Sequence, residues 1–322
     1  VSSALLKRFP QVRVLLVGDL LADHYVFGQT ERVSREAPVL IVRHERDELK
    51  LGGGANAAAN ARALGANVSA VGVVGRDDLG RRLSNLFKTH EIELHAVTSS
   101  VTETRTRILA GGISTSRQQM LRIDRGAQGP LPSRVRNKLA SVLLEEGPKA
   151  DVIMVSDYGA GVLCDETRAV LRSLANEGTP VCVDSRFGLA QYAGLTVCKP
   201  NEPELAALTG LPVGTPEQFL AAGHAAQRTL DCDILLVTQG RNGMTLFERG
   251  KKPLHIPVYG SHEAVDVTGA GDTVSATFAL ALGAGGSPFE AARLANIAGA
   301  LVVAKQGTAT VSRPELAREL AR

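Results

Sequence analysis

The sequence predicts an α/β fold: a doubly wound, mostly parallel sheet flanked by helices, with a small β lid. Three observations carry this reading. Short β-branched apolar runs alternate along the chain with Ala/Leu-rich amphipathic stretches; the runs are apolar at nearly every position rather than at alternate ones; and two charged segments interrupt the rhythm. Strands that are apolar on both faces, in βαβ order, belong to parallel sheets covered by helices on each side. A chain of 322 residues buries about three quarters of its unfolded surface, so a core needs no disulfide or metal staple.

The first strand is predicted over residues 12–17, an apolar run that soon meets Asp19 and so reads as a buried strand rather than a signal peptide. Residues 24–49 alternate in a strand-like way but carry many charges, which places them outside the main sheet. A helix follows over 55–64, a strand over 68–74 and a helix over 79–90. Residues 101–124 form the second charged, strand-like segment. The regular rhythm then resumes: helix 133–146, strand 152–155, helix 166–177, strands 181–184 and 195–199, helices 203–208 and 216–229, strand 234–238, strand 244–247 and a helical run over 274–282. Residues 296–307 read mostly as core helix. No repeat, low-complexity tract or linker occurs. The expectation is therefore one domain over 1–322 with lid segments at about 24–49 and 101–124 inserted in it.

Composition excludes several function classes. The formal net charge is +3, aromatics are 4% and Trp is absent, so neither a basic surface nor base-stacking platforms mark a nucleic-acid binder. No stretch approaches the roughly 18 apolar residues of a membrane span. Cys164, Cys182, Cys198 and Cys232 are widely spaced and form no C-x-x-C pair, as expected for reduced thiols of a cytoplasmic protein. No H-E-x-x-H occurs among the histidines. The chain opens on Val1 rather than Met, which leaves its native start open.

Ligands of such sheets lie beyond the carboxyl ends of the strands. That singles out Asp19, Asp157, Asp184, Asn201 and Gln239-Gly240. The most informative stretch is Asp266-Val-Thr-Gly-Ala-Gly-Asp-Thr273, which leads a turn of small residues into the helical run. A helix start offers unpaired N–H groups and a partial positive charge, and Gly269, Ala270 and Gly271 let an anion approach them closely. A plain anion site would not add a carboxylate, Asp272. Phosphoryl transfer does need one, as the base for the attacking hydroxyl.

Lys199-Pro-Asn-Glu-Pro-Glu204 supplies Asn201 and Glu204 one helical turn apart. The pair reads either as a helix cap or as oxygen ligands for a hydrated Mg²⁺, and the two roles are compatible. Thr238-Gln-Gly-Arg-Asn-Gly243 reads as a hairpin turn or as a backbone approach to a nucleotide, with Gly240 and Gly243 allowing the bend; Asn296 and Gly307 bound a stretch that would complete an adenine pocket. In a strand Arg105 and Arg107 share a face, and Arg117, Arg122, Arg125 and Arg35 lie in the same charged segments. Such guanidiniums either grip a phosphate monoester or keep an exposed edge from pairing. Gly52–Ala57 also matches G-x-G-x-x-A with Asp77 downstream, the fingerprint of an NAD-dependent dehydrogenase. However, the charged stretch His44-Glu-Arg-Asp-Glu48 precedes it where an apolar strand is required. No Walker A sequence occurs.

In this order, the stretches 52–56, 199–204, 238–243 and 266–273 resemble the ribokinase or PfkB family of ATP-dependent sugar kinases. The resemblance implies a ribokinase-like fold, a β lid that mediates homodimers, and ATP and Mg²⁺ as cofactors. It also implies a monovalent cation (K⁺) beside the 266–273 motif. It makes Asp272 the general base, Gly269, Ala270 and Gly271 the anion hole, and Asn201 and Glu204 the metal residues. Lys199, Thr238, Gly240, Gly243, Asn296 and Gly307 then serve the nucleotide. Gly18-Asp-Leu-Leu-Ala-Asp23, Glu31-Arg-Val-Ser-Arg-Glu-Ala-Pro-Val39, Gly52-Gly-Gly-Ala-Asn56, Leu121-Arg-Ile-Asp-Arg125 and Ser156-Asp-Tyr-Gly159 look most like the D-glycero-β-D-manno-heptose 7-phosphate kinases of lipopolysaccharide core synthesis. Transfer to O1 would give the 1,7-bisphosphate. Asp19, Gly53, Gly54, Asn56 and Asp184 would then meet the sugar, and Arg35, Arg107 and Arg122 its phosphate. Asp184-Ser-Arg186 departs from the family's Asp-Pro-Lys. With no H-x-G-H motif, the chain reads as the kinase unit alone. A kinase for another sugar, sugar phosphate or nucleoside, or a non-catalytic sugar-phosphate sensor, are the other readings.

Overall fold

Each apolar run presents branched side chains to both of its faces, and so pairs with like runs in the interior. A computed structural model of the chain describes residues 3–321 apart from 113–116, 128, 261–264 and 306. Its strands are β1 (Arg13–Gly18), β2 (Leu20–Val33), β3 (Leu40–Gly53), β4 (Asn67–Gly75), β5 (Glu93–Ser99), β6 (Thr104–Gly111) and β7 (Gln118–Arg125). They continue with β8 (Val152–Asp157), β9 (Val181–Ser185), β10 (Val197–Cys198), β11 (Ile234–Thr238), β12 (Met244–Glu248) and β13 (Leu254–Ile256).

The main sheet has the order β13-β12-β11-β10-β9-β8-β1-β4-β5, parallel except for β12 and β13. The chain winds outward from β1 to β5, then returns through β8 on the other side of β1. The switch point therefore lies between β1 and β8, and the strand ends there open a crevice. Side chains alternate between the two helix layers, as strand geometry requires. Val14 and Leu16 of β1 join one core with helices Gly54–Ala63, Ala270–Gly283 and Pro288–Val303. Leu15 and Val17 join the other, with helices Ser133–Glu146, Asp165–Asn176 and Pro216–Leu230.

The charged segments form a second, four-stranded sheet, β3-β2-β6-β7, which is the lid. Its strands reach further than the expected segments: β2 starts at Leu20, directly after β1, and β3 runs to Gly53, where helix Gly54–Ala63 begins. Residues 113–116 of the second lid segment lie outside the described residues. The strand expected over 195–199 shrinks to Val197–Cys198 because Pro200 cannot donate to a ladder and Asn201 already caps the next helix. Strand β5 was not expected; its half-exposed edge position gives it a polar pattern. The helix read over 296–307 starts earlier and stops at Val303. Cys164, Cys182, Cys198 and Cys232 are free thiols, and burial pushes Cys182 up to about 12. Among the described residues no helix is long and apolar enough to cross a membrane.

Candidate active site

A cavity of about 1040 Å³ opens at the carboxyl ends of β8 to β11, walled on one side by the lid. Its floor is the start of helix Ala270–Gly283. Gly269 caps that helix at φ +80°, a left-handed conformation, and a Cβ there would lie 2.8 Å from Asn56 Nδ2. Glycine is therefore required at this position for two separate reasons. The Ala270 N–H is already taken by Val267 O at 3.2 Å, whereas those of Gly271 and Asp272 find no acceptor among the described residues. The expected anion hole thus narrows, with Ala270 contributing its small size rather than its amide.

Asp272 is 6% exposed and lines the cavity. Asn56 Nδ2 donates to its Oδ2 at 2.7 Å and the Tyr158 hydroxyl to its Oδ1 at 3.0 Å. Asn60 in turn donates to Asn56 Oδ1, which fixes the amide's orientation. Burial, then the nearby Asp184 charge, push the Asp272 carboxyl up to about 6, while Asn56, Tyr158 and Lys199 hold it down. A carboxylate that titrates just below neutrality is suited to take a proton and return it. Lys199 Nζ pairs with Asp184 Oδ2 at 3.0 Å, and Ser275 Oγ donates to the same oxygen at 2.8 Å. Both groups lie beside Gly271, so this ion pair borders the start of the helix.

Asn201 and Glu204 form a reciprocal capping box: Glu204 N donates to Asn201 Oδ1 at 2.8 Å and Asn201 N to Glu204 Oε2 at 2.9 Å. Both still line the cavity, and burial raises the Glu204 carboxyl above its usual range. No cluster of three or more His, Cys, Asp or Glu suited to a metal occurs among the described residues. Thr238 bridges to Asn201, and Thr238, Gly240 and Gly243 all line the cavity. Gly243, at φ +87°, has no room for a Cβ, which would meet Ile256 O at 2.1 Å. Asn296 lines the apolar end with Met244, Val258 and Val303, its amide donating to Pro257 O at 2.6 Å.

Several expected residues sit elsewhere. Asp19 is 1% exposed and away from the cavity; its carboxylate accepts the N–H groups of Tyr158 (2.8 Å), Ala160 (3.0 Å) and Val162 (3.2 Å). Its lone pairs are spent on holding that loop, and burial pushes it up to about 6. Asp23, four residues on, faces the cavity instead. Gly53 lines the cavity, but Gly54 is packed beneath it with its N–H on Asp19 O. Gly307 donates its N–H to Asp266 Oδ2 and Thr308 takes its place in the wall. Arg35 is exposed in the bend between β2 and β3, off the cavity. Arg107 and Arg122 do line it, yet Arg107 is locked to Asp23 at 2.6 Å and Arg122 pairs bidentately with Asp124.

Of the arginines that line the cavity, Arg105, Arg186 and Arg241 have no ion-pair partner among the described residues, and Arg105 and Arg186 lie at its lid end, near Tyr158. The guanidiniums of Arg105 and Arg186 lie near the ring of Tyr158, at 5.1 and 4.6 Å from its centroid. Burial and the neighbouring Arg186 charge depress Arg105. Sequence reasoning left Tyr158 and Asp23 without roles. Their signal was position alone: Tyr158 directly follows β8 at the switch point, and Asp23 lies opposite Arg105 in the β2/β6 register, with Arg107 reaching it diagonally. The dinucleotide reading fails because the glycines follow an antiparallel lid strand, and Asp77 caps helix Asp78–Thr89 and binds Thr102.

Residues 13–316 match the family described as pfkB family carbohydrate kinase. The chain is similar to the bifunctional protein HldE of Gluconobacter oxydans (strain 621H), 42% identical over 314 residues, covering 96% of this chain and 64% of that protein. It is 38% identical over 314 residues to the bifunctional protein HldE of Geobacter sulfurreducens, covering 96% of this chain and 63% of that one. The chain thus spans a little under two thirds of the length of these relatives. Among solved structures, Arabidopsis thaliana ribokinase complexed with ribose and ATP superposes with a TM-score of 0.74 at 24% identity, over 96% of this chain and 98% of that one. Escherichia coli phosphofructokinase-2 in complex with fructose-6-phosphate gives 0.76 at 17% identity, over 97% and 100%. These two share the fold.

Proposed function

Because the chain belongs to the pfkB family of carbohydrate kinases, we propose that it transfers the γ-phosphoryl group of ATP to O1 of D-glycero-β-D-manno-heptose 7-phosphate, yielding the 1,7-bisphosphate for ADP-heptose and lipopolysaccharide core synthesis. The observation that carries the reading is one cavity with a buried carboxylate at an open helix N-terminus and unpaired guanidiniums opposite. In this reading Asp272, held on both oxygens, accepts the proton of the attacking hydroxyl. The Gly271 and Asp272 amides and Lys199 balance the charge gathering on the migrating phosphoryl group. Asp23 receives sugar hydroxyls, and Arg105 and Arg186 grip the acceptor's own phosphate, a geometry that bidentate guanidiniums suit. The apolar end around Met244, Val258 and Asn296 takes the base of the nucleotide.

Mg²⁺ fits the hard oxygens of Glu204 and Asn201 as a largely water-held ion, and when bound it neutralises charge on the terminal phosphates. A monovalent cation would find the Asp266 carboxylate, which the N–H groups of Thr268 and Gly307 keep below its usual range against the cost of burial. We also place homodimerisation at the lid, which exposes Val33, Leu40, Leu121 and Ile123 at 57, 45, 54 and 50%. Exposed apolar residues on lid strands are a pairing liability that a second subunit would cover. Sedimentation is expected to give a dimer that Leu121→Asp splits; a monomeric wild type counts against the interface.

The base must be ionised to act, and its folded pKa is raised to about 6. The rate is therefore expected to climb with pH through about 6 and level off above it. Below that limb it should fall about tenfold per pH unit. A limb near the ordinary carboxylate value would argue against a buried base. The function itself is tested by ADP release over a panel of free sugars, sugar phosphates and nucleosides. Release with heptose 7-phosphate well above every other acceptor is expected. Release with no acceptor, or tight NADH binding without ATP binding, would defeat the proposal.

A further inference from the structure

One side chain touches both the base and the anion-binding groups. The Tyr158 hydroxyl donates to Asp272 Oδ1 at 3.0 Å, while its ring contacts both Arg105 of lid strand β6 and Arg186, which follows β9. Its own backbone is pinned, because the Tyr158 N–H donates to the buried Asp19 carboxylate at 2.8 Å. Resting on the kinase reading above, we propose that Tyr158 is a positioning residue that couples occupation of the Arg105/Arg186 phosphate clamp to the aim of the base Asp272.

The physical argument starts from the ring. Its π cloud attracts both guanidiniums, which lie 5.1 and 4.6 Å from its centroid, although their like charges repel. Without an anion, that repulsion loosens the lid side, which carries Arg105, against the core side, which carries Arg186. A phosphate dianion bridging them converts the repulsion into two charge-assisted contacts and clamps the ring. A clamped ring fixes the hydroxyl, and a fixed hydroxyl leaves the Asp272 carboxylate one orientation. Burial pushes the Tyr158 hydroxyl well above its usual range, so it remains a donor and does not compete as the base. The groups facing Asp272 are Asn56 from helix Gly54–Ala63, Tyr158 after β8, Asp184 of β9 and Lys199 after β10. Tyr158, Asn56 and Lys199 favour the ionised form and Asp184 opposes it.

The test compares Tyr158→Phe and Tyr158→Leu with wild type, using heptose 7-phosphate as acceptor. The Phe variant keeps the ring and loses the hydrogen bond. Its kcat is expected to fall about tenfold or more, the range for hydrogen bonds to charged groups, with acceptor KM within about twofold of wild type. Its acid limb is expected to move to higher pH, because a donor that favours ionised Asp272 is gone. The Leu variant also loses the ring, so its acceptor KM is expected to rise as well. Unchanged ATP affinity in both variants shows that the fold has survived. A Phe variant with wild-type kcat overturns the proposal. So does one whose kcat falls while the acid limb stays in place, since that would be a merely structural effect. A Leu variant with wild-type acceptor KM removes the coupling to the clamp. A wild type without acceptor-dependent ADP release would instead overturn the kinase reading, and this inference with it.

Discussion

Replacing Asp272 with Asn is expected to lower turnover by at least about 10²–10⁴-fold, the contribution of general base catalysis, while ATP still binds. The amide has nearly the shape of the carboxylate and can keep one of the hydrogen bonds now made by Asn56 and Tyr158. It cannot take a proton at any pH in the working range. The open amides of Gly271 and Asp272 belong to the backbone and survive the change, so the nucleotide's terminal phosphate keeps its donors. The expected signature is a fall in kcat with little change in nucleotide affinity, read by steady-state kinetics and calorimetry. Because the wild-type carboxyl is pushed up to about 6 by burial, the variant should also lose the acid limb of the rate profile. A variant within about twofold of wild type would remove Asp272 from the chemistry, since a general base is worth far more than that.

The second large effect is expected at the arginines. Arg105→Ala and Arg186→Ala should each lower kcat/KM for a phosphorylated acceptor by about 10–100-fold, the equivalent of one charged hydrogen-bonded contact. Neither should change the poor rate with the corresponding free sugar. Arg186→Lys should recover only part of the loss, because an ammonium cannot present the planar fork of a guanidinium. Arg107→Ala provides the contrast. It strips Asp23 of its 2.6 Å partner and leaves a carboxylate that is 4% exposed without its counter-ion. It is therefore expected to harm every acceptor alike. Equal losses on free and phosphorylated sugars at Arg105 and Arg186 would show that these two do not read the phosphate.

How much was legible in the sequence follows from the range of the interactions involved. The sheet was legible because strands buried on both faces are written locally, as in Val152–Asp157 and Ile234–Thr238. The lid was legible because its charges cannot sit in that interior. Asp272 was legible because its glycine turn, its carboxylate and its helix lie in one short stretch. The choice between Asp19 and Asp23 was not. Both follow β1, and only the loop at 158–162, far along the chain, decides which carboxylate is consumed by backbone donors. Arg105 and Arg107 likewise share a face in any strand. Which of them is neutralised depends on the pairing that sets β2 beside β6 and brings Asp23 within reach of Arg107. Tyr158 carried no local signal of a role, because its partners Asp272, Arg105 and Arg186 come from three distant elements. Arg35 looked like a phosphate ligand by charge alone, but it sits in an exposed bend.

The most direct test is a phosphorus NMR spectrum of the product formed from ATP and D-glycero-β-D-manno-heptose 7-phosphate. The expected product keeps its original phosphate ester and gains a second at the anomeric carbon, with one ADP released for each. An unchanged sugar phosphate, or a new phosphate on any other hydroxyl, would contradict an acceptor held by its phosphate with O1 turned toward Asp272.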